Sequence, residues 1–599
     1  MIMKQKLESV VLCLALLSLG ALSTNLFAAE KTVLQDSVAA AEPVNFDVYL
    51  PLQHRDQLEK DLQALHDPNS SSYHKWLTPA EFTARYGATP AQVTAIQNQL
   101  AAYGLQTSVV TAEHIHVTGS ASSVEQALGT VLKRGVYANG KTAIAASQPI
   151  VKQAGLAATN AVITGLSGTI RMRTHSHPIP APQNRYSDVG GYFFDDLKQA
   201  YSYPSFKTYT GKGVTIGILM SGDFNPPDMA TYFGHEKLAV PKFTTINIDG
   251  GAPFDPNGSF ETHLDLQQSG GMAPDANILL YNLPDLSDTS IIDGLSRIIS
   301  DNKADVVSMS FGAPEIFYSA PYNDGVDYTY LIQEENDLMA KGSALGITFI
   351  ASSGDSGALS AFPPACFNGV PNCGAVEPAV QFPSSSPYVT GVGGTNLVTT
   401  YNSTNLNSSY IREEAYGDPL TADIFYGTSA TGSYWGSGGG DSILFPRPLF
   451  QAATKTGNQK FRTVPDLALH MGGCPGGAVT PCNPDDSYDY EVIGNEYVGV
   501  IGTSASAPDF AGLTALSIQR QGGQRLGNEN YYIYTLALLQ NAGLPIKVFK
   551  TNIPGFNGLY YTTPKGYNRV LGNGTLNGVD FLLAPFSPVA GTPQTPSNP

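Results

Sequence analysis

The chemistry-bearing residues of this chain are a serine among small neighbours at the head of an apolar stretch, and acids placed where they could serve it. Gly502-Thr503-Ser504-Ala505-Ser506-Ala507-Pro508 follows the apolar run Tyr497 to Ile501 and precedes Phe510 to Leu516. That context puts Ser504 at a helix start, where small neighbours leave room for a substrate carbonyl, backbone N–H groups lie close to its oxygen, and Gly502 permits a tight approach. The same residues would also suit an N-cap in a Ser/Thr-rich loop. A partner base must decide between the two.

Histidine is the usual base, and beyond residue 185 only His235, His263 and His470 remain. His263 lies in Glu261-Thr262-His263-Leu264-Asp265. On a helix, Glu261 and Asp265 share a face at i,i+4, while His263 is turned by about 200° from Glu261. The carboxyls can therefore act together, and the imidazole points elsewhere. Two carboxyls held together share one proton, so one apparent pKa rises while the other stays low. Such a pair accepts a proton from serine in acid, where an imidazole is already charged. On a solvated face the two acids would merely repel, but Phe260, Leu264 and Leu266 favour burial. Asp355, in Ser353-Gly354-Asp355-Ser356-Gly357, closes an apolar strand at the end where α/β sheets present ligands. It is either a turn-forming acid or a site residue; if protonated, it could donate a hydrogen bond to a developing oxyanion.

The elements that must position these groups follow from periodicity. Gly213 to Met220, Ala304 to Phe311 and Ala344 to Ser352 are buried-type strand runs, and Thr329 to Lys341 is helical, which together predict a three-layer α/β domain with a parallel sheet. From Val48 to about Ile170, strand-like and helical stretches alternate as in a small α+β domain. Residues 171–185 carry Arg171, Arg173, His175, His177 and Arg185 among three prolines, which reads as an exposed linker. Lys4 and Lys6 before the apolar run Val10 to Phe27 read as a signal peptide over 1–29, in preference to a membrane anchor, and 585–599 as a flexible tail.

Composition narrows the classes. With 33 Lys plus Arg against 50 Asp plus Glu, the net charge is −17, which argues against nucleic acid as a partner. Charged residues are only 14% of the chain, so little positive charge accumulates when carboxylates protonate, which suits an acidic medium. After the signal, four cysteines fall as near neighbours, Cys366 with Cys373 and Cys474 with Cys482; two local disulfides are the simplest pairing, with a zinc site as the rival. No assembly element is recognisable, so a monomer is expected.

Several motifs in one order resemble the sedolisin family of serine-carboxyl peptidases in its kumamolisin-like proenzyme form. They are Leu52 to Asp56 (LQHRD), His66 to Pro79 (HDPNSSSYHKWLTP), Glu81-Phe82, Tyr86-Gly87, Glu261 with Asp265, Ser308 to Gly312 (SMSFG), Ser353 to Gly357 (SGDSG), Phe382 to Pro387 (FPSSSP), Gly438 to Gly440, Pro465-Asp466 and Gly502 to Pro508. The resemblance implies a subtilisin-like peptidase domain over 186–584, preceded by a ferredoxin-like prodomain over 30–170 that occupies the cleft and is removed by self-cleavage in acid, leaving a mature start near Tyr186. It implies Ser504 as nucleophile, Glu261 as general base and acid, Asp265 as its orienting partner and Asp355 as the oxyanion-side acid. Prodomain carboxylates losing their ionic contacts would loosen the clamp as pH falls.

The expected protein is thus a secreted acid endopeptidase acting on proteins or peptides, with its own prodomain as inhibitor and no membrane partner. Its rivals are a His263-dependent serine peptidase and a non-enzymatic binding protein on the same scaffold. Trp435 and Gly438, Gly439 and Gly440 are candidates for bordering the substrate channel; an exposed aromatic loop is the alternative. The family's calcium site, an FxDI loop with a later GYDPxTGxGxPN, is matched here by Phe549 to Asn552 and Gly566 to Gly574, with Thr551 and Asn568 where aspartates are expected. Two lost anionic ligands predict no resident metal and no cofactor.

Overall fold

The computed structural model describes residues 30–584 apart from 32, 138–140, 153, 182–187, 189–190, 368–369, 405–406, 416, 420–429 and 474–486. The expected signal peptide, the tail, the start near Tyr186, and Cys474 with Cys482 lie outside the described residues. Cys366 and Cys373 are joined in a disulfide across seven positions.

The N-terminal part is the expected α+β unit. Pro43–Tyr49 and His114–Ser120 pair antiparallel at the centre of a four-stranded sheet, flanked by Gln106–Val109 and Val162–Thr164. Helices Pro79–Tyr86 and Pro90–Ala101 each begin with proline, where the missing N–H has no partner to lose, and Thr78 and Thr89 close capping boxes with Glu81 and Gln92. Phe46, Val48, Ile96, Leu100, Ile115, Val117 and Leu128 form a core of its own.

Leu58, Leu62 and Leu65 of helix Arg55–His66, with Phe82 and Tyr86, join the main core instead, so this unit is sealed against the larger one. Trp76 Nε1 donates to the Arg525 carbonyl (3.2 Å), Leu77 N–H donates to the Ala344 carbonyl (3.0 Å), and Arg55 pairs with Asp337. The motif His66 to Pro79 is therefore a docking element.

The larger part is built on parallel strands in the order Lys242–Asn247, Asn277–Leu283, Thr215–Ser221, Val306–Met309, Thr348–Ser352, Val389–Asn402, Leu467–His470 and Thr575–Leu576. Phe549–Lys550 closes one edge antiparallel. Helices Phe260–Met272 and Thr503–Arg520 pack against each other on the sheet. At Gly512 an added Cβ would stand 2.2 Å from Met272 Cβ, so a side chain there would force these two helices apart. No helix among the described residues is long and apolar enough to cross a membrane.

The expected exposed linker is corrected by the structure over its described part. Arg171 is 1% exposed, donates to Asp288 Oδ2 (3.0 Å) and Asn323 Oδ1 (2.6 Å), and lies over the rings of Tyr318 and Tyr328 at 4.9 and 4.8 Å. Arg173–Thr174 pairs antiparallel with Gly312 and Phe311, and His177–Pro180 with Val498 to Ile501. The segment is poor in apolar residues, yet Met172 joins the main core with Ile179 and Ala181 packed against it, and its backbone and buried polar groups find partners in the protein and not in water.

Replacing Arg171 leaves Asp288 buried without its countercharge, which in such settings costs about 3–5 kcal/mol. Arg171→Ala is expected to lower the melting temperature of the precursor by several degrees in a calorimetric scan, and Arg171→Lys to recover little of it, because a lysine cannot span Asp288, Asn323 and two aromatic faces together.

Candidate active site

Glu261 and Asp265 lie on helix Phe260–Met272, every residue of which from Glu261 onward is buried. Both point to the head of helix Thr503–Arg520. Pro508 has no N–H to give to the Ser504 carbonyl four residues back, and that carbonyl has the Ser310 hydroxyl 3.4 Å away. Ser310 donates its hydrogen to Asp265 Oδ1 at 2.5 Å. Ser504 Oγ donates to the Ser310 carbonyl at 3.3 Å and stands near the buried Glu261 carboxyl, whose Oε1 has no hydrogen-bond partner among the described residues. Serine, glutamate and aspartate thus meet as expected, with Ser310 as the tie between the two helices.

His263 is turned away. Its Nε2 accepts the Asn225 N–H (3.1 Å) and its Nδ1 donates to the Val492 carbonyl (3.0 Å), so both ring nitrogens are engaged on the far side of the helix. His470 Nδ1 accepts the Leu397 N–H, and His235 stacks on Phe193. The His263-dependent alternative has no imidazole to carry it.

Asp355 follows strand Thr348–Ser352. Its Oδ1 accepts both the N–H and the hydroxyl of Thr503, each at 2.7 Å, while its buried Oδ2 has no partner. Oδ2 lies beside Gly502, where an added Cβ would stand 2.7 Å from it and 2.2 Å from the His175 carbonyl oxygen. At φ 142° and with that crowding, only glycine fits between the two oxygens.

The His175 carbonyl belongs to the segment that crosses the cleft. Its oxygen accepts the Ser504 N–H at 3.0 Å, and the next residue, Ser176, donates its hydroxyl to Glu261 Oε2. The His175–Ser176 peptide is thereby held among Ser504, Glu261 and Asp355, with its carbonyl oxygen on a backbone N–H of the kind that stabilises an oxyanion. Upstream residues run along Phe311–Pro314 and downstream ones along Glu496–Ile501, an extended two-sided grip.

Burial sets the proton inventory. It pushes Glu261 up to about 8, against the opposing pull of the Ser176 hydrogen bond and the nearby Ser504 hydroxyl. Burial and the neighbouring Glu261 charge raise Asp265, and burial raises Asp355 well above the ordinary carboxylate range despite its bonds from Thr503. Burial also lowers His175 to about 4, so its ring is neutral. An Asp355 held protonated donates from Oδ2, as the oxyanion role requires.

The channel candidates separate. Trp435 is fully buried, donates to the Gly472 carbonyl and meets the His177 ring edge-on at 5.9 Å, so it flanks the crossing segment and is not an exposed aromatic loop. Added Cβ atoms at Gly438 and Gly439 would stand 2.1 Å from the Ser353 carbonyl and 2.0 Å from the Arg569 carbonyl, so these glycines fit backbone to backbone under the Asp355 loop. Gly440 begins strand Gly440–Pro446, which pairs with Phe461–Val464. Sequence reasoning assigned no role to Ser310, Thr503, Ser352 or Gln381; the SMSFG run was the one signal for the first.

At the calcium position, Asn568 Oδ1 already accepts the N–H groups of Val570 and Leu571, and Arg569 pairs with Asp441. Lys550 Nζ is buried there, 3.7 Å from the Tyr410 ring centroid. This donor set does not fit a hard dication.

A parallel-sheet domain that presents a helix-borne serine to carboxyl groups, with no imidazole at the nucleophile, is a subtilisin-like serine-carboxyl peptidase. Residues 30–167 match the Pro-kumamolisin activation domain and residues 250–542 the Subtilase family. The chain is 27% identical to kumamolisin of Bacillus sp. (strain MN-32) over 93% of its length and 94% of that protein, and 27% identical to sedolisin of Pseudomonas sp. (strain 101) over 90% and 86%. A solved Pseudomonas sedolisin aligns with TM-score 0.52 at 25% identity, over 66% of this chain and 97% of that one. The chain thus joins a Pro-kumamolisin activation domain to a Subtilase-family domain, and kumamolisin and sedolisin are its relatives over most of its length.

The Glu261–Asp265 pair needs one retained charge and Asp355 needs its proton, so kcat/KM should fall on the low-pH side as the pair takes up its second proton and fall again at higher pH as Asp355 ionises. Asp355→Asn keeps an oxygen for Thr503 and places an amide donor at Oδ2 at every pH. Its pH–rate profile is expected to lose the alkaline limb while keeping the acid one, with kcat reduced about 10–1,000-fold. Glu261→Gln is expected to abolish turnover at all pH values in the same assay.

Proposed function

We propose that the chain is a secreted endopeptidase precursor that cuts its own backbone at His175–Ser176 in acid and then hydrolyses other polypeptides in the same extended pose. The observation that carries this reading is the His175 carbonyl oxygen on the Ser504 N–H beside Asp355 and Gly502. The n-region and apolar run within 1–29 and the Cys366–Cys373 disulfide support export to an oxidising compartment.

The reaction needs only residues of this site. Ser504 Oγ adds to the His175 carbonyl carbon while Glu261 takes its proton and Asp265 holds the shared charge. The oxyanion is met by the Ser504 N–H and by Asp355 Oδ2–H. Glu261 then protonates the Ser176 nitrogen, the peptide C–N bond breaks, and the ester on Ser504 is hydrolysed by a water that Glu261 deprotonates.

Acid release of the prodomain is better carried by histidines than by carboxylates. Burial raises Glu59, raises Asp293 and pushes Asp337 up to about 6. Acids whose pKa rises on docking bind protons more tightly when docked, so acidification strengthens that contact, opposite to the expectation from lost ionic pairs. His66 and His74 carry the other sign, since burial lowers both to about 4. His66 donates from Nδ1 to the Leu62 carbonyl and accepts the Asn528 N–H at Nε2, so protonation would set one N–H against another. Their contribution is complete above the ordinary histidine value near 6.5 and is lost as pH falls toward 4.

On acidification, N-terminal sequencing of the processed chain should read Ser-His-Pro-Ile, beginning at Ser176, whereas the Ser504→Ala chain stays intact; a first cut elsewhere, or cutting by the alanine chain, would sink self-cleavage at this bond. His66→Gln, which keeps an acceptor for Asn528 but cannot take up a proton, should move the midpoint of processing to lower pH. Chelator should leave the melting temperature of either form unchanged, and a large upward shift at micromolar calcium would contradict the metal-free reading.

A further inference from the structure

At the residue whose carbonyl meets the Ser504 N–H, the crossing segment buries an imidazole. His175 Nδ1 lies 2.8 Å from Ser352 Oγ and its Nε2 lies 2.5 Å from Gln381 Oε1. A neutral imidazole has one donor and one acceptor; here Nε2–H gives to the Gln381 amide oxygen, and the Ser352 hydroxyl gives to Nδ1.

Both reading groups are fixed from behind. Ser352 is the last residue of the buried strand Thr348–Ser352, and Gln381 pairs with Pro314 while its own carbonyl accepts the Ser384 hydroxyl (2.7 Å) and the Ser385 N–H (3.0 Å). Gln381 is 4% exposed. Gly312 shapes the wall, since a Cβ there would stand 2.7 Å from His175 Cε1. The ring fills a slot whose side is a bare backbone.

We propose that this slot is a specificity pocket for histidine, and that the enzyme cuts preferentially on the carboxyl side of histidine in its substrates. The proposal rests on the reading of His175–Ser176 as a productive pose. An aliphatic or phenyl side chain in the slot would leave the Gln381 oxygen and the Ser352 hydroxyl buried without partners, and a carboxylate would meet the Gln381 oxygen with no hydrogen to offer. Sites built around such paired groups reject analogues lacking them far more strongly than apolar pockets discriminate by size.

The test uses the acid-processed full-length chain and decapeptides copying residues 171–180, with His, Leu, Phe or Glu at the position of His175. Expected is a kcat/KM for the histidine peptide at least about tenfold above the leucine peptide, cut after the varied residue. Gln381→Leu should lower that ratio by about tenfold or more, and Ser352→Ala should lower it as well. A ratio is read within one active enzyme, so partial loss of folded protein cannot mimic the effect. Equal cleavage of the four peptides, or a ratio unchanged in both variants, overturns the histidine pocket while leaving the peptidase intact. Cleavage of no peptide, together with an unprocessed precursor, overturns the productive pose and the pocket with it.

Discussion

Two carboxyl groups on successive turns of one buried helix cannot both be charged, and the proton they must share is what the rest of the site is arranged around. Glu261 and Asp265 are removed from water by the helix that begins at Thr503 and by Ser310, which lies between strands Val306–Met309 and Phe311–Pro314. Their desolvation favours holding a proton, so the pair works as a base only while one charge is retained against that tendency. The same burial raises Asp355 well above the ordinary carboxylate range and so favours its protonated form, the one able to donate. Base and acid are made from one residue type by environment alone.

The route of the chain through this site couples folding to chemistry. Arg171 is anchored beneath Tyr318 and Tyr328, and the strand pairings on either side of His175 hold the intervening peptide taut across Ser504. A prodomain tied down by Trp76, Leu77 and Arg55 at one end delivers its own backbone to the nucleophile at the other. On the proposed reading, inhibition and substrate presentation are the same contact. Burial favours the neutral form of His66 in the docking face and of His263 behind the acid helix, so both imidazoles serve as packed, polar structural groups.

Much of the site was legible because it depends on local geometry. The i,i+4 spacing of Glu261 and Asp265 fixes a common helical face, and the same rotation carries His263 to the opposite side. Gly502 before Ser504, and small residues after it, identify a position where backbone must approach backbone. Resemblance over many motifs supplied the assignment of roles and the place of the prodomain. The segment 171–185 was misread because its charges and prolines look solvated when their partners are hundreds of positions away: Asp288 is 117 residues from Arg171, and Gln381 is 206 from His175.

The sequence by itself determined the parallel α/β scaffold and the common helical face of Glu261 and Asp265, since both follow from residue type and near-neighbour spacing, while the roles of Ser504 and the acids and the lost charges at Thr551 and Asn568 were read from the family resemblance. Only the tertiary structure decided that Ser310 ties Asp265 to the serine helix, that Ser352 and Gln381 enclose an imidazole, and that the supposed linker lies in the cleft. Such pairings are set by which strands become neighbours, and long-range contacts leave no periodic trace in the chain that makes them.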